Sequence, residues 1–250
     1  MTGFLTIAGL GPGSQDQITP AVEQAIAIAT DVVGYLPYVA RIAPRDGLIL
    51  HPSENRAEAD RARHALDMAL AGRRVLVVSS GDPGVFAMAA AVYEVLETDS
   101  SRWQDVDITV LPGITAMLAA AARVGAPLGH DFCVINLSDN LKPWALIEQR
   151  LRLALKADFA MAFYNPRSKS RPEGFKKTIQ ILKSYVAGDR PVIFARAVST
   201  PDERIMIVPL AEAQPDMADM QTVVLVGSSQ TRTLSHKGAV LAYTPRSVRG

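Results

Sequence analysis

Residues 73–90 read RRVLVVSSGDPGVFAMAA, and the fold class turns on this stretch. Leu76, Val77 and Val78 form an apolar, β-branched run too short for a helix, which predicts a buried strand. Ser79, Ser80, Gly81, Asp82, Pro83 and Gly84 then bring together nearly every turn-forming residue type, and Val85 to Leu96 resumes at helical spacing. A small-residue turn between a buried strand and a helix lies at the carboxyl end of a sheet. Open α/β sheets bind ligands there, because backbone groups are exposed and close approach is possible.

The same alternation extends outward in both directions. Phe4 to Leu10 predicts a first strand running into GLGPGS (residues 9–14), and Thr19 followed by Pro20 predicts a capped helix to about Thr30. Val32 to Tyr35 is a second strand. Ala62, Ala65, Leu66, Ala69 and Leu70 fall on one helical face that Gly72 ends. Asp107 to Leu111 predicts a strand leading into the turn Pro112–Thr115 and an alanine-rich helix to Val124. A second round follows, with strands at 132–137, 159–163, 192–197, 204–208 and 222–226 and helices at 143–156 and from Phe175 to Val186. Some of the closing strands are expected to be antiparallel. The pattern predicts two α/β domains, 1–114 and 115–250, with the active site in the cleft between them; Gly125–Gly129 reads as a linker.

Composition bounds the function. The chain has 250 residues, with Lys+Arg 26 against Asp+Glu 25, so no global field favours nucleic acid and an anionic ligand must meet a local cationic cluster. The single cysteine, Cys133, excludes an internal disulfide and reads as a small buried hydrophobe. No stretch approaches the apolar length of a membrane span, and the expectation is a cytoplasmic protein with neither membrane nor nucleic-acid partners.

The familiar chemistries are absent from the motifs. GLGPGS is one residue shorter than the dinucleotide fingerprint, no acidic residue ends the second strand, and the glycines do not open a helix. No Walker lysine and no G-x-S-x-G elbow occurs. His51, His64, His130 and His236 are scattered without ligand spacing, so no metal is expected, and His64 reads as a solvated helix residue. Four small-residue turns remain, GLGPG, SSGDPG, PGIT and FYNPRS, each after a strand, suited to a small polar ligand held by backbone groups.

GLGPGS, SSGDPGVFAMA (79–89), LPGITA (111–116), YNPRS (164–168) and TVVLVG (222–227), in this order, resemble the tetrapyrrole methyltransferases, and together they span nearly the whole chain. VGYLPYVARI (33–42), NLSDNLKPW (136–144), MAFYNPRSKSR (161–171) and ARAVSTPDE (195–203) resemble the subfamily that methylates precorrin-3B at C17 and contracts the macrocycle in cobalamin synthesis. Asn140 and Lys142 depart from that pattern, where Leu and Thr are usual. The alternatives left open are a cobalt-precorrin-3 methyltransferase, a diphthine synthase of the same fold, and a non-catalytic tetrapyrrole carrier.

The resemblance implies a tetrapyrrole methylase fold, a homodimer, and S-adenosylmethionine as methyl donor, leaving as S-adenosylhomocysteine. It implies cofactor contacts from Pro12, Gly81, Asp82, Val85, Phe86, Thr115, Ala116, Tyr164, Asn165, Ala197 and Thr222. For the polycarboxylate substrate the expected residues are Tyr35, Tyr38, Asp139, Arg167, Ser168 and Arg171, with Arg41, Arg45, Arg56, Lys142 and Lys169 as further cations. Methyl transfer from a sulfonium to an electron-rich carbon needs alignment and exclusion of water more than a strong base. Ring contraction also needs a proton removed from the C20 hydroxyl. Asp82 is the expected catalytic residue, with Asp139 and His130 as other ionisable candidates and bracing of its own turn as Asp82's alternative role.

Overall fold

Two units make up the chain in the computed structural model, the first ending at Thr115 and the second beginning at Ala116; residues 3–54 and 57–247 are described. In the first unit the strands are β1 (Phe4–Gly9), β2 (Asp31–Tyr35), β3 (Ile49–Ser53), β4 (Arg74–Ser79) and β5 (Asp107–Leu111). The helices are α1 (Pro20–Ile28), the single turn α2 (Leu36–Val39), α3 (Glu58–Leu70) and α4 (Met88–Thr98). The strands form one parallel sheet in the order β3-β2-β4-β1-β5. The apolar runs of β1, β2 and β4 are buried on both faces, as parallel strands require.

Alternate residues of these strands serve different helices. Leu5, Ile7, Val75 and Val77 pack with Ala62, Leu66, Met88 and Val92 of α3 and α4. Ala8, Leu76 and Val78 pack with Val22 of α1 and with Val39. The chain leaving β1 therefore crosses one face and the chain leaving β4 the other, and such a switch of direction marks the ligand-binding end of an open sheet. Thr19 caps α1 by accepting a hydrogen bond from Val22 N, with Pro20 at the first helical position. α4 begins at Met88, three residues later than its spacing suggests. Phe86 takes a left-handed backbone (φ 54°) and keeps residues 82–87 in the turn.

The second unit contains α5 (Ala116–Val124), β6 (Gly125–Ala126), β7 (Phe132–Asn136), α6 (Trp144–Lys156), β8 (Ala160–Tyr164), α7 (Glu173–Tyr185), β9 (Pro191–Arg196), β10 (Arg204–Pro209) and β11 (Thr222–Val226). A hairpin of β12 (Arg232–His236) and β13 (Ala239–Tyr243) ends it. The main sheet runs β10-β9-β11-β8-β7, with only β7 and β8 pairing in parallel. One face buries Met161, Phe163, Phe194 and Val224 beneath α6 and α7, where Phe175 meets Phe194 edge-on at 6.1 Å. Truncating either ring to alanine would cost about 3–5 kcal/mol. The other face buries Ala162, Ile193 and Leu225 beneath α5.

The linker reading of Gly125–Gly129 is corrected. Gly125 and Ala126 pair with β13, and the Thr244 hydroxyl donates to Pro127 O at 2.6 Å, so this stretch is built into the second unit. Among the described residues no helix is long and apolar enough to cross a membrane.

Candidate functional site

In the first unit three turns leave the carboxyl ends of the adjacent strands β4, β1 and β5 and pack backbone to backbone. Gly11 and Gly81 exchange both amide hydrogen bonds, N to O, at 3.2 and 2.9 Å. A Cβ on Gly113 would lie 2.2 Å from Gly81 O and 2.7 Å from Gly9 O, and one on Gly9 would lie 2.4 Å from Gly81 O. The glycines are thus required by the mutual approach of the turns, independently of any ligand. Asp82 ties the arrangement together: Oδ1 accepts from Gly84 N at 2.8 Å and Oδ2 from Gly113 N at 3.0 Å. Pro12, Gly81, Asp82, Val85, Phe86 and Thr115 all belong to these turns, and Phe86 is 49% exposed.

Tyr35 and Tyr38 stand at the carboxyl end of β2, on the same edge of the sheet, with rings edge-to-face at 5.3 Å. Burial and the neighbouring Tyr35 push the Tyr38 phenol above its usual pKa, so it presents a neutral aromatic surface. Arg41 has a different role from that expected of it. Its guanidinium donates to the carbonyls of Leu10, Gly11 and Gly13, clamping the first turn from behind. Arg45 is likewise spent on the carbonyls of Ile26 and Ala29 at the end of α1. Both cations are braces of backbone. Arg56 lies outside the described residues.

In the second unit, β8 and β9 are each antiparallel to the intervening β11, so their carboxyl ends and the start of β11 share one edge. Tyr164, Asn165, Ala197 and Thr222 gather on that edge, and Ala116 opens α5. The Tyr164 hydroxyl accepts from Met117 N at 2.9 Å and so holds the start of α5. Asn165 and Ala197 are left-handed (φ 51° and 47°), as is Ser199 in the loop after β9. Strained non-glycine residues of this kind collect at ligand clamps. Thr222 donates to Asp219 Oδ1 at 2.8 Å and accepts from Asp219 N.

Asp139 and the loop 165–171 follow β7 and β8 at the same edge. Arg171 is 14% exposed and brings NH1 within 4.0 Å of Asp139. Ser168 pairs by backbone with Arg171, and Arg167 Nε is buried with no hydrogen-bond partner. Lys142 donates to Ser138 O, and burial together with the Arg150 charge lowers its pKa. Lys169 is exposed. His130 is not in this group: it precedes β7 and lies at the amino end of that strand, which corrects its candidacy as a base. Cys133 is half-buried and burial raises its thiol pKa, which suits packing.

The sequence reading passed over two supports. Asn136 accepts from both Asn165 Nδ2 and Ser138 N, joining the loops after β7 and β8. Asp219 anchors Thr222, and its pKa falls because the hydrogen bonds from Thr222 and Arg196 outweigh the effect of burial. Asn136 was visible as the residue after an apolar run, the position at which Asx side chains commonly hold a loop. Among the described residues no group of three or more His, Cys, Asp or Glu is placed to hold a metal ion. The chemistry available is that of backbone-lined turns, two aromatic rings and a small cationic cluster.

The chain belongs to the tetrapyrrole (corrin/porphyrin) methylases, whose family model matches residues 5–214; it is a methyltransferase with the two-unit α/β fold of that family. Over the full chain it is 51% identical to a precorrin-3B C(17)-methyltransferase of Sinorhizobium sp., covering 99% of that relative. A crystal structure of the methyltransferase CobJ superposes with a TM-score of 0.94 at 61% identity, covering 97% of this chain and 100% of that one. The uroporphyrin-III C-methyltransferase of Thermus thermophilus, complexed with S-adenyl homocysteine, shares the fold at a TM-score of 0.69 and 20% identity, covering 90% of this chain and 97% of that one.

Proposed function

We propose that the chain transfers the methyl group of S-adenosylmethionine to C17 of precorrin-3B and contracts the ring, as a cytoplasmic homodimer in cobalamin biosynthesis. The observation that carries this reading is the end-to-end likeness to a relative of that name, and the close-packed turns at the carboxyl ends of β4, β1 and β5, where an open α/β sheet binds its ligand, support it. Pro12, Gly81, Asp82, Val85, Phe86 and Thr115 are read as cofactor residues of the first unit, and Ala116, Tyr164, Asn165, Ala197 and Thr222 as those of the second. Tyr35 and Tyr38 offer aromatic surface to the macrocycle; Arg167, Ser168 and Arg171 offer charge and hydrogen bonds to its carboxylates.

In the transfer, the electron pair of the ring carbon forms the new C–C bond as the S–CH3 bond breaks. The pair of that bond stays on sulfur, which leaves as a neutral thioether. No strong base is needed, so alignment and exclusion of water supply most of the acceleration. Contraction follows when the C20 hydroxyl loses its proton: the O–H pair forms the C20=O bond as one ring bond to C20 breaks, the pair of that bond migrates to the neighbouring ring carbon as its oxygen substituent leaves, and C20 remains outside the smaller ring as an acetyl group. That each oxygen of Asp82 accepts from a backbone amide, one in its own turn and one in the next, favours bracing as its role. Asp139, which faces Arg171, is then the carboxylate available for that proton.

Purified protein incubated with precorrin-3B and S-adenosylmethionine should release a product that is both methylated and contracted, with a new acetyl signal in its carbon NMR spectrum. A methylated ring without that signal removes the C17 assignment and leaves the family standing. Turnover of a cobalt-containing substrate alone assigns the chain to the cobalt-dependent reaction.

A further inference from the structure

Three histidine nitrogens and one aspartate meet on the outer edge of the first sheet, away from the strand-end turns. Asp31 opens β2 and is 1% exposed, yet its carboxylate is saturated with donors. Arg73 gives two hydrogen bonds at 2.6 and 3.0 Å, the Thr30 hydroxyl one at 2.7 Å, and His51 Nε2 one at 2.9 Å. A carboxylate only accepts, so His51 carries its proton on Nε2 and turns the Nδ1 lone pair outward. Nδ1 meets Nε2 of His64, at 3.4 Å, from the exposed side of α3.

The geometry is that of two ligands on one ion. Two imidazoles on a tetrahedral centre at about 2.05 Å stand about 3.3 Å apart at nitrogen, with ring centres about 5.2 Å apart. The structure has 3.4 Å between nitrogens and 5.1 Å between ring centres. A head-on N–H···N bond of that length would place the ring centres about 5.7 Å apart, and 3.4 Å is long for a hydrogen bond. The ring centres therefore lie off the line joining the nitrogens, as those of two ligands sharing one ion do.

We propose that His51 Nδ1 and His64 Nε2 bind one divalent transition-metal ion of the Zn²⁺ type, with Asp31 as the carboxylate that orients the first imidazole. A carboxylate–histidine–metal chain of this kind fixes the tautomer and raises ligand basicity. Imidazole donors select Zn²⁺, Ni²⁺ or Cu²⁺ over Mg²⁺ and Ca²⁺. Two protein ligands leave the remaining positions to water, so the ion is exchangeable. Bound there, it pins α3 to the edge strand β3.

The test uses the full chain, stripped with a chelator and titrated with ZnCl2 by calorimetry, MgCl2 serving as control. One Zn²⁺ per chain is expected, with no Mg²⁺ heat. His64→Gln, at an exposed helix position, should weaken Zn²⁺ by more than about tenfold, whereas His130→Gln should leave it unchanged. Zn²⁺ should raise the melting temperature of the unaltered protein and not that of His64→Gln. In the unaltered protein, Zn²⁺ should move the ring NMR signals of His51 and His64 together while those of His130 and His236 stay fixed. Absence of saturable Zn²⁺ binding, undiminished binding by His64→Gln, or shifts at other histidines instead would each overturn the site and leave the pair as a hydrogen bond.

Discussion

Replacing Asp82 with Asn separates bracing from proton transfer. Both carboxylate oxygens of Asp82 accept backbone amide protons, one from Gly84 within its own turn and one from Gly113 in the next. Asparagine keeps one acceptor and puts an NH2 group where the other stood, facing an N–H. One of the two bonds is lost and a donor–donor contact replaces it, at a cost of about 1–3 kcal/mol. The Gly113 bond is the more consequential, because a part-buried amide without a partner has no easy access to water. If the turn must be restored to bind the cofactor, the same energy appears as a roughly 5- to 150-fold loss of S-adenosylhomocysteine affinity. Calorimetric titration with S-adenosylhomocysteine measures that loss, and urea denaturation measures the stability. Methylation and contraction should fall together. A folded Asp82→Asn protein with unchanged affinity that methylates precorrin-3B and releases it uncontracted would refute the bracing argument and make Asp82 the base.

Other substitutions probe the remaining contacts. Gly113→Ala places a Cβ 2.2 Å from Gly81 O, so the three turns must separate; a destabilisation of about 1–3 kcal/mol, read from denaturant midpoints, should accompany lost cofactor binding. Arg171→Ala should cost about 1–3 kcal/mol of tetrapyrrole affinity by fluorescence titration while S-adenosylhomocysteine affinity stays constant; equal losses of both would assign the loop to positioning instead. Asp31 has its pKa lowered from 3.8 to about 2, the hydrogen bonds from Arg73, Thr30 and His51 outweighing burial. A depressed carboxylate pKa adds stability that is complete above the unfolded value, here about 2 kcal/mol, and is lost as pH falls through the folded value. Asp31→Asn should therefore lose stability at neutral pH and show a flatter decline between about pH 4 and 2; an unchanged acid slope in thermal melts would contradict it.

Strands buried on both faces were legible because such strands must be apolar throughout, as in Leu76–Val78 and Val223–Val226. β3 was not, since ILHPS carries a histidine and a proline that only an edge strand tolerates. The β12–β13 hairpin was missed for a related reason: every residue of β12 is exposed, so no alternation of apolar and polar residues marks it. Its one local signal was Lys237-Gly238, both left-handed, as a tight hairpin turn needs. The glycine turns after β1, β4 and β5 were legible by residue type alone. What Arg41 and Arg45 do was hidden, because a cation's backbone acceptors leave no trace in sequence. His51 and His64 stand 13 residues apart on a strand and a helix, a separation to which no ligand-spacing rule applies.

The mixed order of the second sheet has a bearing on synthesis. β8 and β9 are joined only through β11, which comes last of the three in the chain. Until residues 222–226 emerge, the sheet remains two separate pairs, β7 with β8 and β9 with β10, each with an unsatisfied edge. The juxtaposition of Tyr164, Ala197 and Thr222 therefore has no precursor on the ribosome: the final strand closes the sheet and assembles that edge in one event. A chain halted before Thr222 would carry two strand pairs with open edges and no completed sheet, which makes late truncations prone to aggregate.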